Sequence, residues 1–147
     1  MRKLITTTAL TFLFAAPAMA AEHTLMAADI TPPATDIIFV APNDYVVDGY
    51  ELYDYNATPF DGYDDLDDAD VYSSITGDEI GDVDEIYEAT PGVPGYLTVE
   101  VGGFLGIGEK EVLLPMDQLS VFRGEDGLRI YVAATEEQLE EYPDFDD

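Results

Sequence analysis

Turn-forming residues cut this chain, from Val71 to Val132, into pieces the length of β-strands. Val71 to Ile75 runs into Thr76-Gly77-Asp78. Ile80 to Tyr87 meets the breaker cluster Thr90-Pro91-Gly92-Val93-Pro94-Gly95, and Glu111 to Leu114 stops at Pro115. Leu119 to Phe122 and Leu128 to Val132 flank the turn Gly124-Glu125-Asp126-Gly127. Tyr96 to Val101 alternates, which sets Leu97, Val99 and Val101 on one face. About six short strands at this spacing predict an all-β fold, a small sandwich or barrel. One helix closes it: Thr135-Glu136-Glu137-Gln138 has the form of a capping box, in which the threonine hydroxyl and the glutamine side chain satisfy exposed amides reciprocally. Pro143 limits that helix to about two turns, with Leu139 as its core contact.

The chain before residue 70 is less regular. Residues 21–35 mix alanine and polar residues with Pro32-Pro33 and read as a flexible leader. Asp36 to Val40 is a β-prone run ended by Pro42-Asn43. In Tyr45 to Tyr53, Asp48-Gly49 separates two β-rich arms, the signature of a hairpin over 44–54. Residues 56–70 are polar and carry Asp64-Asp65-Leu66-Asp67-Asp68-Ala69-Asp70, which predicts a solvated linker. The expected organisation is an acidic, partly flexible extension over 21–69, a barrel domain over 70–143 and an acidic tail over 144–147.

The first twenty residues have the three parts of a secretory signal peptide: Arg2-Lys3, an apolar run from Leu4 to Phe14, and Ala18-Met19-Ala20 ahead of Ala21. Pro17 ends the run short of the 18 or so residues that span a bilayer. Cleavage after Ala20 and a periplasmic or secreted location are therefore expected, with no membrane span afterwards. Cleavage removes Arg2 and Lys3, so the formal charge of −27 becomes −29, with Lys110, Arg123 and Arg129 left against 32 acidic residues. Such a chain repels phosphate backbones and anionic lipid, which argues against nucleic-acid and peripheral-membrane roles. Solubility is the plain reading of the acidity, and a cationic partner or divalent ions the sharper one. The chain has no cysteine, which removes disulfide and thiolate chemistry.

The segment from Val99 to Pro115, Val-Glu-Val-Gly-Gly-Phe-Leu-Gly-Ile-Gly-Glu-Lys-Glu-Val-Leu-Leu-Pro, resembles the PRC-barrel family. Gly77, Ile80, Gly81 and Val83 are similar to the family's opening G-x-x-I-G-x-V hairpin. Ala134 to Leu139 with Tyr142-Pro143 is similar to the ending of its exported members. The resemblance covers about residues 70–143 and implies a small, strongly bent β-barrel. The same fold occurs in the reaction-centre H subunit of photosynthetic bacteria and in a ribosome-maturation factor, where it docks rather than catalyses.

The residues of that segment carry a reading of their own. Gly102, Gly103, Gly106 and Gly108 are too many for a regular strand and fit a tight bend. Phe104, Leu105 and Ile107 then either plug a barrel end or stand exposed as a small apolar patch. Gly102, Gly103, Phe104, Leu105, Gly106, Ile107 and Lys110 form the candidate partner-binding turn. A phosphate-cradling loop would need a helix next, where a β-run follows, and Glu109 and Glu111 would repel the phosphate. Lys110, between Glu109 and Glu111, is read either as a local surface salt bridge or as a fixed register point at an interface.

No catalytic, cofactor or metal residues are assigned. His23 is the sole histidine and lies in the leader, so serine nucleophiles lack a base in the folded part. Calcium is the metal such a chain would best serve, but counting an EF-hand loop from Asp68 through Asp70 to Glu79 puts Ser73 where glycine is required. Two functions result: a non-catalytic protein-interaction or scaffolding module, and alternatively an acidic, calcium-type cation-binding envelope protein with weak divalent-ion affinity.

Overall fold

The computed structural model describes residues 25–56, 62–67, 69–102 and 108–146. The six strands expected from the turn pattern are present as β2 (Asp70–Ser73), β3 (Glu79–Thr90), β4 (Val93–Val101), β5 (Lys110–Pro115), β6 (Leu119–Gly124) and β7 (Gly127–Val132). A further strand, β1 (Glu51–Tyr53), joins them in one seven-stranded sheet of order β1-β6-β7-β2-β3-β4-β5. Neighbours pair antiparallel except β2 with β7. A one-turn helix α1 (Tyr63–Leu66), the closing helix α2 (Glu136–Glu140) and two 3-10 turns, Ala27–Asp29 and Met116–Gln118, complete the regular elements among the described residues.

Connectivity requires this sheet to be rolled. β5 and β6 stand five places apart in the sheet, yet the three-residue 3-10 turn Met116–Gln118 alone joins them. Laid flat, five steps would span roughly 24 Å, whereas the link from Pro115 to Leu119 reaches about 14 Å at most. Wrapping brings one face of nearly every strand into one core: Val71, Val83, Val99, Val112, Val121 and Ile130 are all buried in it. The alternation of Leu97, Val99 and Val101 is realised, all three being fully buried.

The bend is written into β3. Its register with β4 shifts between Val83 and Ile86, and there the Glu85 N–H donates to Thr98 Oγ1 at 2.9 Å instead of continuing the ladder. A bulge of this kind turns a twelve-residue strand across the barrel. Close approach is permitted by Gly81, where a Cβ would lie 2.2 Å from the Glu100 carbonyl oxygen. The capping box of α2 is present in both halves, Gln138 N–H to Thr135 Oγ1 at 3.3 Å and Thr135 N–H to Gln138 Oε1 at 2.9 Å. Leu139 fills the core.

The structure differs from expectation in the segments outside the barrel strands. Asp36 to Val40 is extended but pairs with no strand: Phe39 inserts into the core and its N–H donates to Gln118 Oε1 at 2.8 Å, while Ile38 and Val40 remain exposed. The Asp48-Gly49 turn forms, with Gly49 at φ +80° and the Tyr50 N–H on the Val47 carbonyl. The hairpin does not, because its second arm becomes β1 and pairs with β6, Leu52 opposite Phe122. A lone hairpin is marginal in water, and a sheet edge offers the same hydrogen bonds over a core.

The expected linker contains α1, whose Leu66 is fully buried, with Ala69 buried behind it. Asp64, Asp65, Asp67 and Asp70 are exposed around them. Both ends of the described chain also pack. Leu25, Ala27 and Ile30 of the expected leader and Phe145 of the expected tail meet Tyr87, Tyr96 and Leu113 in a second, smaller cluster. The expected signal peptide, residues 1–20, lies outside the described residues, as does His23.

Candidate functional site

Of the candidate turn, Gly103, Phe104, Leu105, Gly106 and Ile107 lie outside the described residues. Its flanks are described: Gly102 follows β4 at φ +71° and Gly108 precedes β5 at φ +81°. Both are left-handed values that favour glycine. Lys110 opens β5, and its partner is not a sequence neighbour. Its Nζ lies 3.3 Å from Asp144 Oδ1 and donates to the Glu140 carbonyl, which ties β5 to the segment after α2.

Beside this turn the register creates a feature that sequence reading missed. Asp82 of β3 faces Glu100 of β4, and Glu100 faces Glu111 of β5. Their neighbours Val83, Val99, Val101 and Val112 point into the core, so the three carboxylates line up across the outer face of three adjacent strands. Partial burial raises the Glu100 carboxyl above its ordinary value, reinforced by Asp84, Glu109 and Asp82. Burial likewise raises Glu111, opposed by a hydrogen bond from Thr98 and reinforced by Asp84, Glu85 and Glu100. Like charges directly opposite one another weaken a sheet, so this row works against the fold that carries it. A groove of about 660 Å³ runs alongside, lined by Glu100, Glu109, Lys110, Glu111, Asp144 and Asp146.

These carboxylates do not converge: among the described residues, no group of three or more histidine, cysteine, aspartate or glutamate side chains could hold a metal ion. The EF-hand-like spacing dissolves in three dimensions. Asp68 lies outside the described residues, and Asp70 accepts a hydrogen bond from the Tyr72 hydroxyl. Ser73 is buried, its Oγ accepting from the Ile75 and Thr76 amides.

Aromatic rings gather on β1, β2, β6 and β7 and on the segment before β1. The Arg129 guanidinium lies 4.4 Å from the Tyr50 ring centre and 5.4 Å from that of Tyr72. Arg123 sits 3.9 Å over Tyr53. Tyr131 anchors the cluster, 5.0 Å from Tyr45 and 5.3 Å from both Tyr72 and Phe122. The tyrosines of residues 45–53 therefore pack on the barrel, and two of the few cations are spent holding them there. Burial raises the Tyr131 phenol, an effect that Arg129 opposes.

Among the described residues one carboxylate is buried. Glu88 turns inward at the end of β3 and accepts from the Gly92 N–H at 3.1 Å. Tyr63 of α1 lies beside it; burial first, and then the Glu88 carboxylate, drive the phenol well above its ordinary range. What this arrangement does chemically is positional: the Gly92 hydrogen bond fastens the β3–β4 turn to the acid, with α1 packed beside it.

A family model for the PRC-barrel domain matches residues 59–139, a span that includes α1 and all strands from β2 to β7. No curated protein matches the chain.

Proposed function

Because the chain belongs to the PRC-barrel domain family, we propose that it works as a non-catalytic protein-interaction module, exported to the periplasm or beyond, that presents the outer face of β3–β5 to a basic partner. The family is generally non-catalytic. The observation that carries this reading is the row Asp82–Glu100–Glu111. Carboxylates held opposite one another at a cost to the sheet are accounted for when a partner's lysines and arginines neutralise them on binding. Complementary potential of this kind raises association rates and excludes wrong partners. Gly102 and Lys110, the described flanks of the candidate turn, follow Val101 and precede Glu111, and an apolar contact from Phe104, Leu105 or Ile107 is the proposed element that fixes the register of docking. Export rests on Arg2-Lys3, the apolar run and Ala18-Met19-Ala20.

The test is affinity capture from the native envelope with the exported chain and with the triple variant D82N/E100Q/E111Q. The variant should fold at least as well and lose the partner. Equal capture by both would refute the acidic face as the docking surface. Phe104→Ser tests the turn: a folded variant that no longer captures the partner makes the turn part of the interface, and an unfolded one makes Phe104 a core residue.

A second reading, an acidic cation-binding envelope protein, is favoured by the mutual repulsion at Glu100 and Glu111, which divalent ions would relieve. A calcium titration of melting temperature separates the two. A saturable rise points to defined ion binding, and a flat response to the protein partner.

A further inference from the structure

The outer face of β3–β5 has two halves: the carboxylate row, and the apolar patch of Tyr87, Tyr96 and Leu113. β5 is the last strand of the sheet. Because Glu111 sends its carbonyl away from β4, the antiparallel alternation also turns the N–H and C=O of Leu113 to the open side. Across that edge lies Asp144–Asp146. The Phe145 N–H donates to the Glu111 carbonyl at 3.0 Å. The Phe145 ring, itself buried, meets Tyr87 edge-on at 6.1 Å. One backbone hydrogen bond and one aromatic anchor hold the segment on the β5 edge without extending the sheet.

Its charge does not fit. Asp144 and Asp146 share the groove with Glu100, Glu109 and Glu111, and Lys110 is the cation that offsets them there. We propose that Asp144–Asp146 is a built-in stand-in for a partner: the β5 edge is a strand-docking groove whose proper occupant is an extended peptide with an aromatic residue flanked by lysine or arginine. The partner strand takes over the hydrogen bonds of the β5 edge, its ring replaces Phe145 against Tyr87 and Leu113, and its cations meet the glutamates. This is β-strand addition, in which main-chain bonds supply affinity and pockets supply selectivity. The inference rests on the interaction reading and names the surface and class of partner for it.

The experiment uses the exported chain and two synthetic peptides, each with a central phenylalanine flanked by lysines or by glutamates. Phe145→Ala removes the anchor of the stand-in. A cover in place nine-tenths of the time weakens a competitor about tenfold, so F145A should bind the lysine peptide roughly tenfold more tightly than the parent chain and ignore the glutamate peptide. Bound peptide should slow amide exchange at Leu113. Lys110→Gln loosens the segment while keeping the ring and should shift affinity the same way, which keeps the test open if F145A folds poorly. Equal affinity of parent and both variants, equal binding of both peptides, or protection away from β5 would overturn the groove. Partner capture that depends on Asp82, Glu100 and Glu111 but not on these variants would overturn the groove alone. Capture indifferent to the carboxylates would instead overturn the interaction reading.

Discussion

The Glu88 side chain accepts the Gly92 amide hydrogen at 3.1 Å and braces the turn between β3 and β4 from a buried position. Replacing Glu88 by alanine removes the acceptor from Gly92 and from beside Tyr63. The Gly92 N–H is only partly buried, and a hydrogen bond of this kind is worth about 0.5–1.5 kcal/mol, so E88A should lower the unfolding free energy by that order in urea titration. Glu88→Gln keeps an acceptor oxygen and should cost distinctly less.

The carboxylate row makes the opposite prediction. Each directly opposed like-charge pair weakens a sheet by about 0.2–1 kcal/mol, so E100Q/E111Q should be more stable than the parent chain at neutral pH. The dependence on pH has a definite sign. The folded-state values of Glu100 and Glu111 are raised above 4.5, so the folded state holds these protons more tightly than the unfolded chain. Their contribution is fully present below the unfolded value and is lost as pH rises through the raised folded values. The stabilising effect of E100Q/E111Q, compared with the parent by denaturant titration, should therefore shrink on acidification towards pH 4.5 and below.

Gly81 tests the bend. A Cβ there would sit 2.2 Å from the Glu100 backbone oxygen, which has no rotamer by which to yield. Overpacking of this kind typically costs about 1–3 kcal/mol and can cost more. Gly81→Ala should show a loss of that size or larger by thermal or chemical denaturation. Gly49, where an added Cβ meets nothing, carries only the strain of its positive φ and should cost less on the same substitution.

Arg129 tests how the extension is held. Its guanidinium lies over Tyr50 and near Tyr72, contacts worth about 0.5–2 kcal/mol when partly desolvated. Arg129→Ala should speed amide exchange over residues 45–53 while leaving β3–β5 unchanged. Arg129→Lys should fall between, because an ammonium lacks the planar face that stacks on a ring.

The barrel was legible in the sequence because its signals are local. Pro91-Gly92, Pro115 and Gly124 to Gly127 mark turns whatever they pack against, and Leu97, Val99 and Val101 show their burial by alternation. The Thr135 capping box is local in the same way. The extension was not legible, because its structure depends on what the barrel offers. Leu66 sits in an aspartate run and is buried only because the core has a place for it. The Asp48-Gly49 arms pair with β6 instead of with each other because an edge strand lies within reach. The row Asp82–Glu100–Glu111 depends on register across a bulge, and three positions scattered over thirty residues of sequence carry no local sign of it. Lys110 sits between Glu109 and Glu111 in sequence, where a local pair and a register point look alike, and its ion pair is with Asp144, 34 residues on.

Carbodiimide cross-linking in the native envelope, mapped by mass spectrometry, tests the acidic docking face most directly, since the reagent joins a carboxylate to a lysine in contact with it. The account predicts bonds to a partner's lysines concentrated at Asp82, Glu100 and Glu111. Cross-links spread evenly over the acidic surface, or confined to the tyrosine-rich side around Tyr50 and Tyr131, would contradict it.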